Sequence, residues 1–334
     1  MYRALRPLLF RLDPERAHAL TLGLLDLARR LQLLRPYGEA GAAQSVRLMG
    51  LTFPNRVGLA AGLDKNAACI DALGALGFGF VEVGTVTPRP QAGNPRPRIF
   101  RILEADAIVN AMGFPNEGVD AACARLRARR FAGVCGVNIG KNATTPLAEA
   151  AADYTHCLRA VYPWADYVAI NVSSPNTPGL RQLQAEEHLT PLLETLLGAR
   201  SQLAAQTGRR VPLLVKLSPD LTDADLEGLV AVVRALGIDG VIATNTTVQR
   251  PGLAAVPDAA RPGGLSGPPL HTLATSVVRR LRARLPAGLP IIGVGGICSL
   301  DSARGMLEAG ADLIQIYTGL IYRGPGLVRM LARL

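Results

Sequence analysis

The sequence predicts an α/β protein, a (β/α)₈ TIM barrel with a two-helix extension at its amino-terminal side. From about residue 46, short apolar segments alternate with helical stretches, as repeated strand–helix units do. Eight such units fill the rest of the 334 residues, which is the length of one barrel with an appendage. The competing open doubly wound sheet would place a GxGxxG turn after its first strand, whereas this chain has AGLDK there.

Residues 1–36 are predicted to form the extension. Leucines recur at helical spacing over residues 5–12 and again over residues 20–34, which indicates two amphipathic helices. Asp13-Pro14-Glu15 lies between them and has the pattern of an N-cap, a first-turn proline and a first-turn acid. We place the end of the second helix near Pro36. Because arginines interrupt every apolar stretch, we expect no membrane-spanning helix here. No small-residue cleavage site follows a long apolar stretch, so we expect no signal peptide either.

The barrel is assigned to residues 46–334. It begins with a small hairpin around residues 46–51, and residues 95–112 contain two short alternating runs that predict an inserted hairpin. Residues 247–270 are rich in glycine and proline and are predicted to form a mobile loop. The eight predicted barrel strands are 57–61, 80–85, 134–139, 167–172, 213–217, 240–244, 291–294 and 313–317.

The formal charge of +10 comes from arginines dispersed through the chain. No recognition helix, zinc finger or RNA-binding pattern accompanies them, so we expect no nucleic-acid partner. The five cysteines are scattered and no CxxC pair occurs, which argues against a disulfide framework or a zinc ribbon and favours a reducing cytosol. Neither an HExxH motif nor a carboxylate–histidine cluster occurs, so we expect no metal.

Lysine is scarce, and its positions are informative. The chain has only three lysines, Lys65, Lys141 and Lys216, against 33 arginines. All three lie at the carboxyl ends of predicted strands, where a barrel carries its active site. The pattern indicates that a compact ammonium is required there, with chance survival as the alternative interpretation.

Polar residues follow other strands at the same rim. The four asparagines there are Asn138, Asn171, Asn176 and Asn245. Together they can read a planar amide or imide edge, such as those of a flavin or a pyrimidine, although any one of them also suits an ordinary turn. The segments GVGG at 293–296 and YTG at 317–319 follow the last two strands, where this fold commonly binds phosphate. Glycines in such turns also have a purely structural interpretation.

The candidate proton acceptor is Ser174, in a loop that two prolines stiffen and that can act as a lid. No histidine lies at a strand end, so we do not expect a histidine base. Asp64 is the carboxylate nearest the rim, and it either caps a helix or pairs with a lysine. The alternative for Ser174 is an ordinary Ser-Pro turn, because a serine without an adjacent base needs a water relay or concerted transfer to accept a proton.

Ten segments of the chain resemble dihydroorotate dehydrogenase. They extend from Gly58 to Pro325 and are GLAAGLDKN, FVEVGTVTPRPQAGNPRPRIFR, NAMGFPNEG, GVNIGKN, INVSSPNTPGLR, VKLSPD, GVIATNTT, GGLSGPPL, IIGVGGI and IQIYTGLIYRGP. The start, LDPERAHALT, resembles the amino-terminal extension of the quinone-using, membrane-associated class 2. The resemblance implies that FMN-dependent oxidation of (S)-dihydroorotate to orotate, in de novo pyrimidine (UMP) biosynthesis, is coupled to reduction of a membrane quinone.

The resemblance also assigns roles by motif position. The catalytic base of this class is a serine, which matches Ser174, where cytosolic members have cysteine. Lys141 receives no role, Ala111 stands where a larger residue is common, and Pro115 replaces a more usual polar residue. The implied FMN contacts are Ala61, Gly62, Leu63, Asp64, Lys65, Thr85, Asn138, Asn171, Lys216, Thr244, Gly267, Gly296, Tyr317 and Thr318. The implied substrate contacts are Lys65, Asn110, Ala111, Met112, Gly113, Phe114, Asn171, Asn176, Asn245 and Thr246.

A membrane partner is implied as well. In this class the extension lines a tunnel from the membrane to the flavin edge, and His18 and Arg101 match polar positions of that tunnel. An apolar face with interspersed arginines suits a helix pair at an anionic membrane surface, although such helices can also merely cover one end of a barrel. We expect a peripheral protein on the cytoplasmic side of a bacterial inner membrane, and a monomer.

Three alternatives remain at this point. Another flavin barrel, such as a fumarate- or NAD-linked dihydroorotate dehydrogenase or a dihydrouridine synthase, is disfavoured by Ser174 and by the extension. A Schiff-base aldolase using Lys216 predicts a colourless protein and leaves the asparagines unexplained. A nucleic-acid-binding module is suggested only by the charge, without an aromatic stacking motif to support it.

Overall fold

The computed structural model describes residues 2–34 and 45–334 of the chain. Its strands are β1 (Val46–Leu48), β2 (Leu51–Phe53), β3 (Val57–Leu59), β4 (Phe80–Val86), β5 (Ile99–Ile102), β6 (Ala107–Asn110), β7 (Val134–Ile139), β8 (Tyr167–Asn171), β9 (Leu213–Leu217), β10 (Gly240–Ala243), β11 (Gly264–Ser266), β12 (Ile291–Val294) and β13 (Leu313–Ile316). Its α-helices are α1 (Tyr2–Arg11), α2 (Pro14–Arg30), α3 (Ile70–Gly74), α4 (Val119–Arg127), α5 (Ala150–Val161), α6 (Glu186–Thr207), α7 (Asp223–Leu236), α8 (His271–Arg282), α9 (Leu300–Glu308), α10 (Thr318–Arg323) and α11 (Pro325–Leu331).

Within these residues, eight parallel strands close into one barrel in the order β3, β4, β7, β8, β9, β10, β12 and β13. This confirms the predicted (β/α)₈ TIM barrel. The strands are buried along their length because helices cover the outer face and side chains fill the interior. The β1–β2 hairpin closes the amino-terminal end, where Phe53 packs edge-on against Phe80 with ring centroids 5.3 Å apart. The opposite end of the barrel, at the carboxyl ends of the strands, is open and carries the cavity described below.

The strand boundaries differ from the prediction mainly at this open end. β7, β9 and β12 have the predicted bounds, whereas β3, β8, β10 and β13 end one or two residues early. The residues concerned include Thr244 and Tyr317, which leave the strand ladder and line the mouth of the barrel instead. β4 runs one residue further than predicted, to Val86, with an irregular pairing to β7 after Gly84. The residues that line the mouth of the barrel therefore lie just beyond the points where regular strand pairing ends.

A three-stranded sheet stands beside the barrel mouth. The predicted hairpin is present as the antiparallel pair β5 and β6. The prediction of a mobile loop over residues 247–270 was wrong in part, because this segment contributes β11, which pairs antiparallel with β6. Arg250 organises the rest of the segment, donating to the carbonyls of Arg261 and Gly263 at 2.9 Å each. Pairing between residues about 150 positions apart leaves no local signal in the sequence.

The amino-terminal extension contains the two predicted helices. The Asp13 side chain accepts from the backbone N–H groups of Glu15 and Arg16 at 3.1 and 3.0 Å, which confirms the predicted cap. α2 ends at Arg30, and the predicted end near Pro36 lies outside the described residues. Over residues 2–34 and 45–334, none of the helices is both long and apolar enough to span a bilayer. The division into an extension and a barrel domain stays a prediction.

Both helices are fastened to the barrel. Phe10 of α1 packs edge-on against Tyr322 of α10, with ring centroids 5.2 Å apart, and Arg6 donates to the Tyr322 carbonyl at 3.1 Å. On α2, Glu15 accepts from the guanidinium of Arg98, beside β5, at 2.8 Å. These contacts hold the pair over the mouth of the barrel.

Candidate active site

A cavity of about 1170 Å³ lies between the mouth of the barrel and the helices of the extension. Residues that follow the strands form one wall, and mainly leucines and alanines of α1 and α2 form the other. Every residue predicted to contact FMN, substrate or quinone lies among the described residues lining this cavity, with the exceptions of Asn138 and Ala111. The sequence predictions are thus brought together in space, while the individual roles stay predictions.

The polar floor of the cavity is a hydrogen-bonded set of amides and hydroxyls. Thr85 Oγ1 donates to Asn138 Oδ1 at 2.5 Å. Asn171 Nδ2 donates to Thr85 Oγ1 at 2.9 Å and to Asn138 Oδ1 at 3.1 Å, and Asn245 Nδ2 lies 3.4 Å from Asn171 Oδ1. Asn138 is fully buried beneath the cavity surface, so it orients its neighbours rather than facing a ligand across open space. Such a set can present a fixed pattern of donors and acceptors.

A second pair of amides lies nearer the inserted sheet. Asn176 Nδ2 donates to Asn110 Oδ1 at 3.0 Å. Asn94, which the sequence analysis did not single out, donates to the carbonyls of Ala111 and Asn176 at 2.9 and 3.1 Å and so ties the two segments together. The Ala111 N–H donates to the Arg98 carbonyl at 2.8 Å. Ala111 is therefore held in place through its backbone N–H and carbonyl groups, which is compatible with a small side chain at this position.

Lys216 stands on the floor with its Nζ 3.4 Å from Glu82 Oε1. Glu82 is fully buried inside the barrel and was missed by the sequence analysis, because it is a single acid within the apolar strand β4. An ammonium held in an ion pair suits the stabilisation of developing negative charge. It suits less well the free amine nucleophile that a Schiff-base aldolase needs.

The other two lysines have different environments. Lys65 donates to the Gly62 carbonyl at 2.6 Å and is half-buried in the cavity wall. Burial, and then the nearby charge of Arg98, lower the pKa of Lys65 to about 8. Lys141 is not among the described residues of the cavity; its ammonium donates to the carbonyls of Asn142 and Thr145 at 3.3 and 2.9 Å. It therefore holds a turn, in agreement with the family pattern, which gives it no role.

Asp64 is buried and caps the turn before α3. Its carboxylate accepts from the backbone N–H groups of Ala68 and Cys69 at 2.8 and 2.7 Å. Burial raises the pKa of Asp64, and these backbone hydrogen bonds oppose the rise. Of the two interpretations given for this carboxylate, the cap is the one supported by hydrogen bonds.

Ser174 is buried in the loop after β8. Its Oγ accepts from the backbone N–H of Asn176 at 3.2 Å, and this is its one hydrogen bond within the described residues. Thr177, in the same loop, is also buried, and its hydroxyl has no partner among those residues. A proton accepted by Ser174 must accordingly pass to water or move in concert with the reaction.

The Ser174 loop is anchored rather than free. Arg181 donates to the Ser173 carbonyl at 3.2 Å and to the Thr246 carbonyl at 3.0 Å, and it pairs with Asp220 at 2.9 Å. One side chain thus joins the loop after β8 to the loop after β10. This limits how far the predicted lid can open without breaking an ion pair.

The far end of the cavity has the features of a phosphate site. Gly267 has a φ of +103°, and a Cβ there would lie 2.8 Å from the Ala107 Cα. Gly296 has a φ of +66°, and a Cβ there would lie 2.7 Å from the backbone N of His271. Only glycine fits at either turn, because neighbouring backbone atoms occupy the space that a side chain would need, and glycine turns of this kind can present backbone N–H groups to an anion. Together with the Thr318 hydroxyl and the amide floor, this donor set fits flavin mononucleotide.

The helix wall of the cavity carries few polar groups. Burial, and then the charge of Lys65, lower the pKa of His18 to about 4, so the ring is neutral at pH 7. The Arg101 guanidinium lies 4.6 Å from the centre of the Phe10 ring and donates to the carbonyls of Phe10 and Leu12 at 3.1 and 2.9 Å. Arg101 therefore fastens the end of α1, whatever else it binds.

The family model described as dihydroorotate dehydrogenase matches residues 43–333. A protein named dihydroorotate dehydrogenase (quinone) from Flavobacterium lutescens is 55% identical over 329 residues, covering 98% of this chain and 94% of the relative. One of the same name from an Azoarcus species is 54% identical over 333 residues, covering 100% and 98%.

Solved structures agree with these relatives. The crystal structure of DHODH from Eimeria tenella in complex with ferulenol superposes with a TM-score of 0.89 at 39% identity, covering 96% of this chain and 90% of that one. The ligand-free structure from the same organism has the same TM-score at 40% identity, covering 96% and 93%. Since the family model covers most of the chain and the relatives match nearly all of it, the chain belongs to the dihydroorotate dehydrogenase family.

Proposed function

We propose that the protein is a quinone-dependent dihydroorotate dehydrogenase, which oxidises (S)-dihydroorotate to orotate in pyrimidine synthesis. The observation that carries the proposal is that one cavity has amide and ammonium groups on its barrel wall and apolar side chains on its helix wall. A polar substrate and a lipid-soluble acceptor need walls of these two kinds. The name borne by the relatives, dihydroorotate dehydrogenase (quinone), supports the same assignment.

FMN is the resident cofactor in this proposal. The glycine turns at Gly267 and Gly296 and the Thr318 hydroxyl would hold its phosphate, and the Asn171 amide and Lys216 would face its ring system. When bound, the flavin takes up the two electrons that the substrate loses and releases them to a quinone. Lys216 contributes positive charge where the electron-rich form of the cofactor needs it.

The substrate is proposed to bind between the two asparagine pairs. Lys65 would hold its carboxylate, and Asn110, Asn176 and Asn245 would read the amide edges of the ring. Ser174 Oγ would accept the proton lost from carbon 5, held in place by its contact with the Asn176 N–H. The anchored loop excludes bulk water, which strengthens each of these polar contacts.

The quinone is proposed to enter through the extension. Four leucines of the extension line the cavity and are also 46–60% exposed, namely Leu5, Leu8, Leu20 and Leu24. The cavity therefore opens to the outside between apolar side chains. His18 would donate to a quinone carbonyl, with Arg101 as a second candidate. We place the helix pair on an anionic membrane, at the cytoplasmic side of a bacterial inner membrane, with the protein as a monomer.

The test is spectroscopic. The purified protein should show a flavin absorption band, and dihydroorotate without an acceptor should bleach it. A quinone should restore the band, whereas NAD and fumarate should not. A colourless protein would overturn the flavin assignment, and restoration by NAD or fumarate would place the protein in another class of the family.

A further inference from the structure

We infer that Glu82 is a positioning residue of the active site, which compensates the charge of Lys216 and sets the direction of the asparagine amides. The inference rests on the proposed flavin-dependent function. Glu82 is not among the described residues lining the cavity, whereas Lys216 is, so Glu82 acts through its neighbours rather than on a ligand. Across the eight described barrel strands these are the two charged residues, and they pair with each other.

Four side chains converge on the Glu82 carboxylate. Oε1 accepts from Asn138 Nδ2 at 2.8 Å and lies 3.4 Å from Lys216 Nζ. Oε2 accepts from the Tyr167 hydroxyl and from Gln315 Nε2, at 2.8 Å each. Burial, and then the charge of Glu82, raise the pKa of Tyr167 well above its ordinary value, so Tyr167 remains a donor. Burying a carboxylate is costly unless it is paired and hydrogen-bonded in this way, and a purely apolar strand would avoid the cost.

The carboxylate determines which way each amide points. Because Asn138 Nδ2 donates to Glu82, Asn138 Oδ1 is turned toward Thr85 and Asn171 and accepts from both. Asn171 Nδ2 is thereby occupied on that side, and its Oδ1 faces Asn245. The buried Glu82 carboxylate, two hydrogen bonds away from Asn171, thus determines the donor and acceptor pattern of the cavity floor.

The carboxylate also determines how much positive charge the floor presents. In the dry interior of the barrel, a charge at 3.4 Å offsets much of the field of the Lys216 ammonium. Removing the negative charge leaves that ammonium uncompensated, which favours the electron-rich form of a flavin bound above it. Glu82 is therefore expected to lower the midpoint potential of the cofactor in the wild type.

Glu82→Gln separates charge from shape. The glutamine can keep its Oε1 toward Asn138 and Lys216, while its Nε2 faces Tyr167 and the Gln315 Oε1, a buried oxygen with no partner among the described residues. E82Q should retain flavin and show a higher midpoint potential. We expect the ratio of reduced to oxidised flavin to rise at least about tenfold at equilibrium, which is about 30 mV for a two-electron couple.

Three companion variants define the effect. Glu82→Asp keeps the charge but retracts it by one methylene, so its shift should have the same sign and be smaller. Asp239→Asn removes a carboxylate that pairs with Arg200 just before β10, at the amino-terminal end of the barrel, and should leave the potential unchanged. In a Lys216→Met background, E82Q should lose most of its effect, because the two residues are expected to act as a pair.

The outcomes are distinguishable from those of the proposed function. If the wild type binds no flavin, or dihydroorotate does not reduce it, the proposed function fails. If the wild type behaves as proposed but E82Q has the wild-type potential, the inference about Glu82 is wrong and the function stands. An undiminished shift in the Lys216→Met background would also overturn it. Should E82Q not fold, an unchanged potential in E82D decides against the inference.

Discussion

The two walls of the cavity are built in opposite ways. On the barrel wall, Asn171 and Lys216 are buried and each is fixed by side chains from other strands. On the helix wall, Leu8 and Leu24 are more than half exposed and contribute only apolar surface. A polar substrate is recognised by donors and acceptors at fixed positions, whereas a flexible lipid chain needs only a dry surface. The difference teaches that one cavity can combine two kinds of selectivity. The barrel wall selects its ligand by fixed polar groups and is called the strict wall below, whereas the helix wall accepts many apolar ligands and is called the permissive wall.

The walls are not independent, however. Arg98, which is only 5% exposed, pairs with Glu15 of α2 at 2.8 Å and donates to the carbonyls of Ala92 and Asn94 at 2.7 Å each. Asn94 in turn donates to the carbonyl of Ala111, in the segment that is proposed to bind substrate. Deleting residues 1–36 should abolish turnover of long-chain quinones, but it also removes the carboxylate that pairs with Arg98 and so disturbs the barrel wall as well. Single substitutions separate the walls more cleanly.

The largest effect is expected on the strict wall. Ser174→Ala should slow reduction of the flavin by dihydroorotate by roughly 10²- to 10⁴-fold, the range typical of a lost acid–base group. Stopped-flow absorbance measures the rate, and orotate affinity should change little. Ser218→Ala is the matched control, because Ser218 is buried, its Oγ accepts from the Asp220 N–H at 3.2 Å, and it is not among the described residues lining the cavity. Equal rates for S174A and the wild type would place the base elsewhere.

The permissive wall is tested by its outer surface. Leu27 and Leu31 are 50% and 59% exposed and are not among the described residues lining the cavity. Changing both to serine should weaken binding to anionic vesicles on the order of 100-fold, because each leucine loses the burial that the membrane would supply. Flavin reduction should stay normal. Val248→Ser, an exposed apolar site away from the extension, serves as control, and a matching loss there would contradict the membrane surface proposed here.

The next prediction concerns the shape of the cationic head groups of Lys65 and Lys216 on the strict wall. Lys216→Arg and Lys65→Arg keep the charge but enlarge the head group in a packed site, so flavin reduction should fall about 10- to 100-fold. Lys141→Arg provides the matched control, since Lys141 is buried but holds only a turn. Its rate should stay within about twofold of wild type. Normal rates in both site variants would show that only charge matters.

Lys65 should also give the strict wall a pH dependence. Its lowered pKa of about 8 means that the ammonium is present below pH 8 and is lost as pH rises through that value. Because the charged form is proposed to bind the orotate carboxylate, the Kd of orotate should rise by roughly tenfold per pH unit above pH 8. Flavin difference spectra measure this binding. Lys65→Gln should bind weakly at every pH, and a wild-type Kd that is flat from pH 7 to 10 would exclude this role.

The smallest effect is expected for the polar contact of the permissive wall. His18→Ala should raise the KM for quinone about 2- to 10-fold, the range of one neutral hydrogen bond, and leave flavin reduction unchanged. Because the pKa of His18 is lowered to about 4, its contribution should be constant between pH 6 and 8. Steady-state assays with a long-chain quinone test both points. Slower flavin reduction in the variant would tie His18 to the strict wall.

The barrel was predictable because its signals are local. Each strand is a short apolar run, and the residues that follow the strands carry the chemistry, so both could be found in the sequence by position. β11 was not found, since its three residues pair with β6, which lies about 150 positions earlier in the chain. Glu82 was not found either, because a lone acid within an apolar run has no meaning until Lys216 and Asn138 are placed around it. Contacts between side chains of different barrel strands arise only in the folded protein, so the linear sequence does not reveal them.

The attachment of α1 to α10 bears on how the molecule is synthesised. Arg6 and Phe10 emerge from the ribosome long before Tyr322, their partner 316 and 312 positions later. Until that partner arrives, the leucines of α1 lack part of their protein cover, while the strands of the barrel can already pair in order. The permissive wall is therefore completed only at the end of synthesis, when β13 has also arrived to pair with β3 and close the barrel. We predict that until then its apolar surface is sheltered by another partner, such as a chaperone or the bilayer itself.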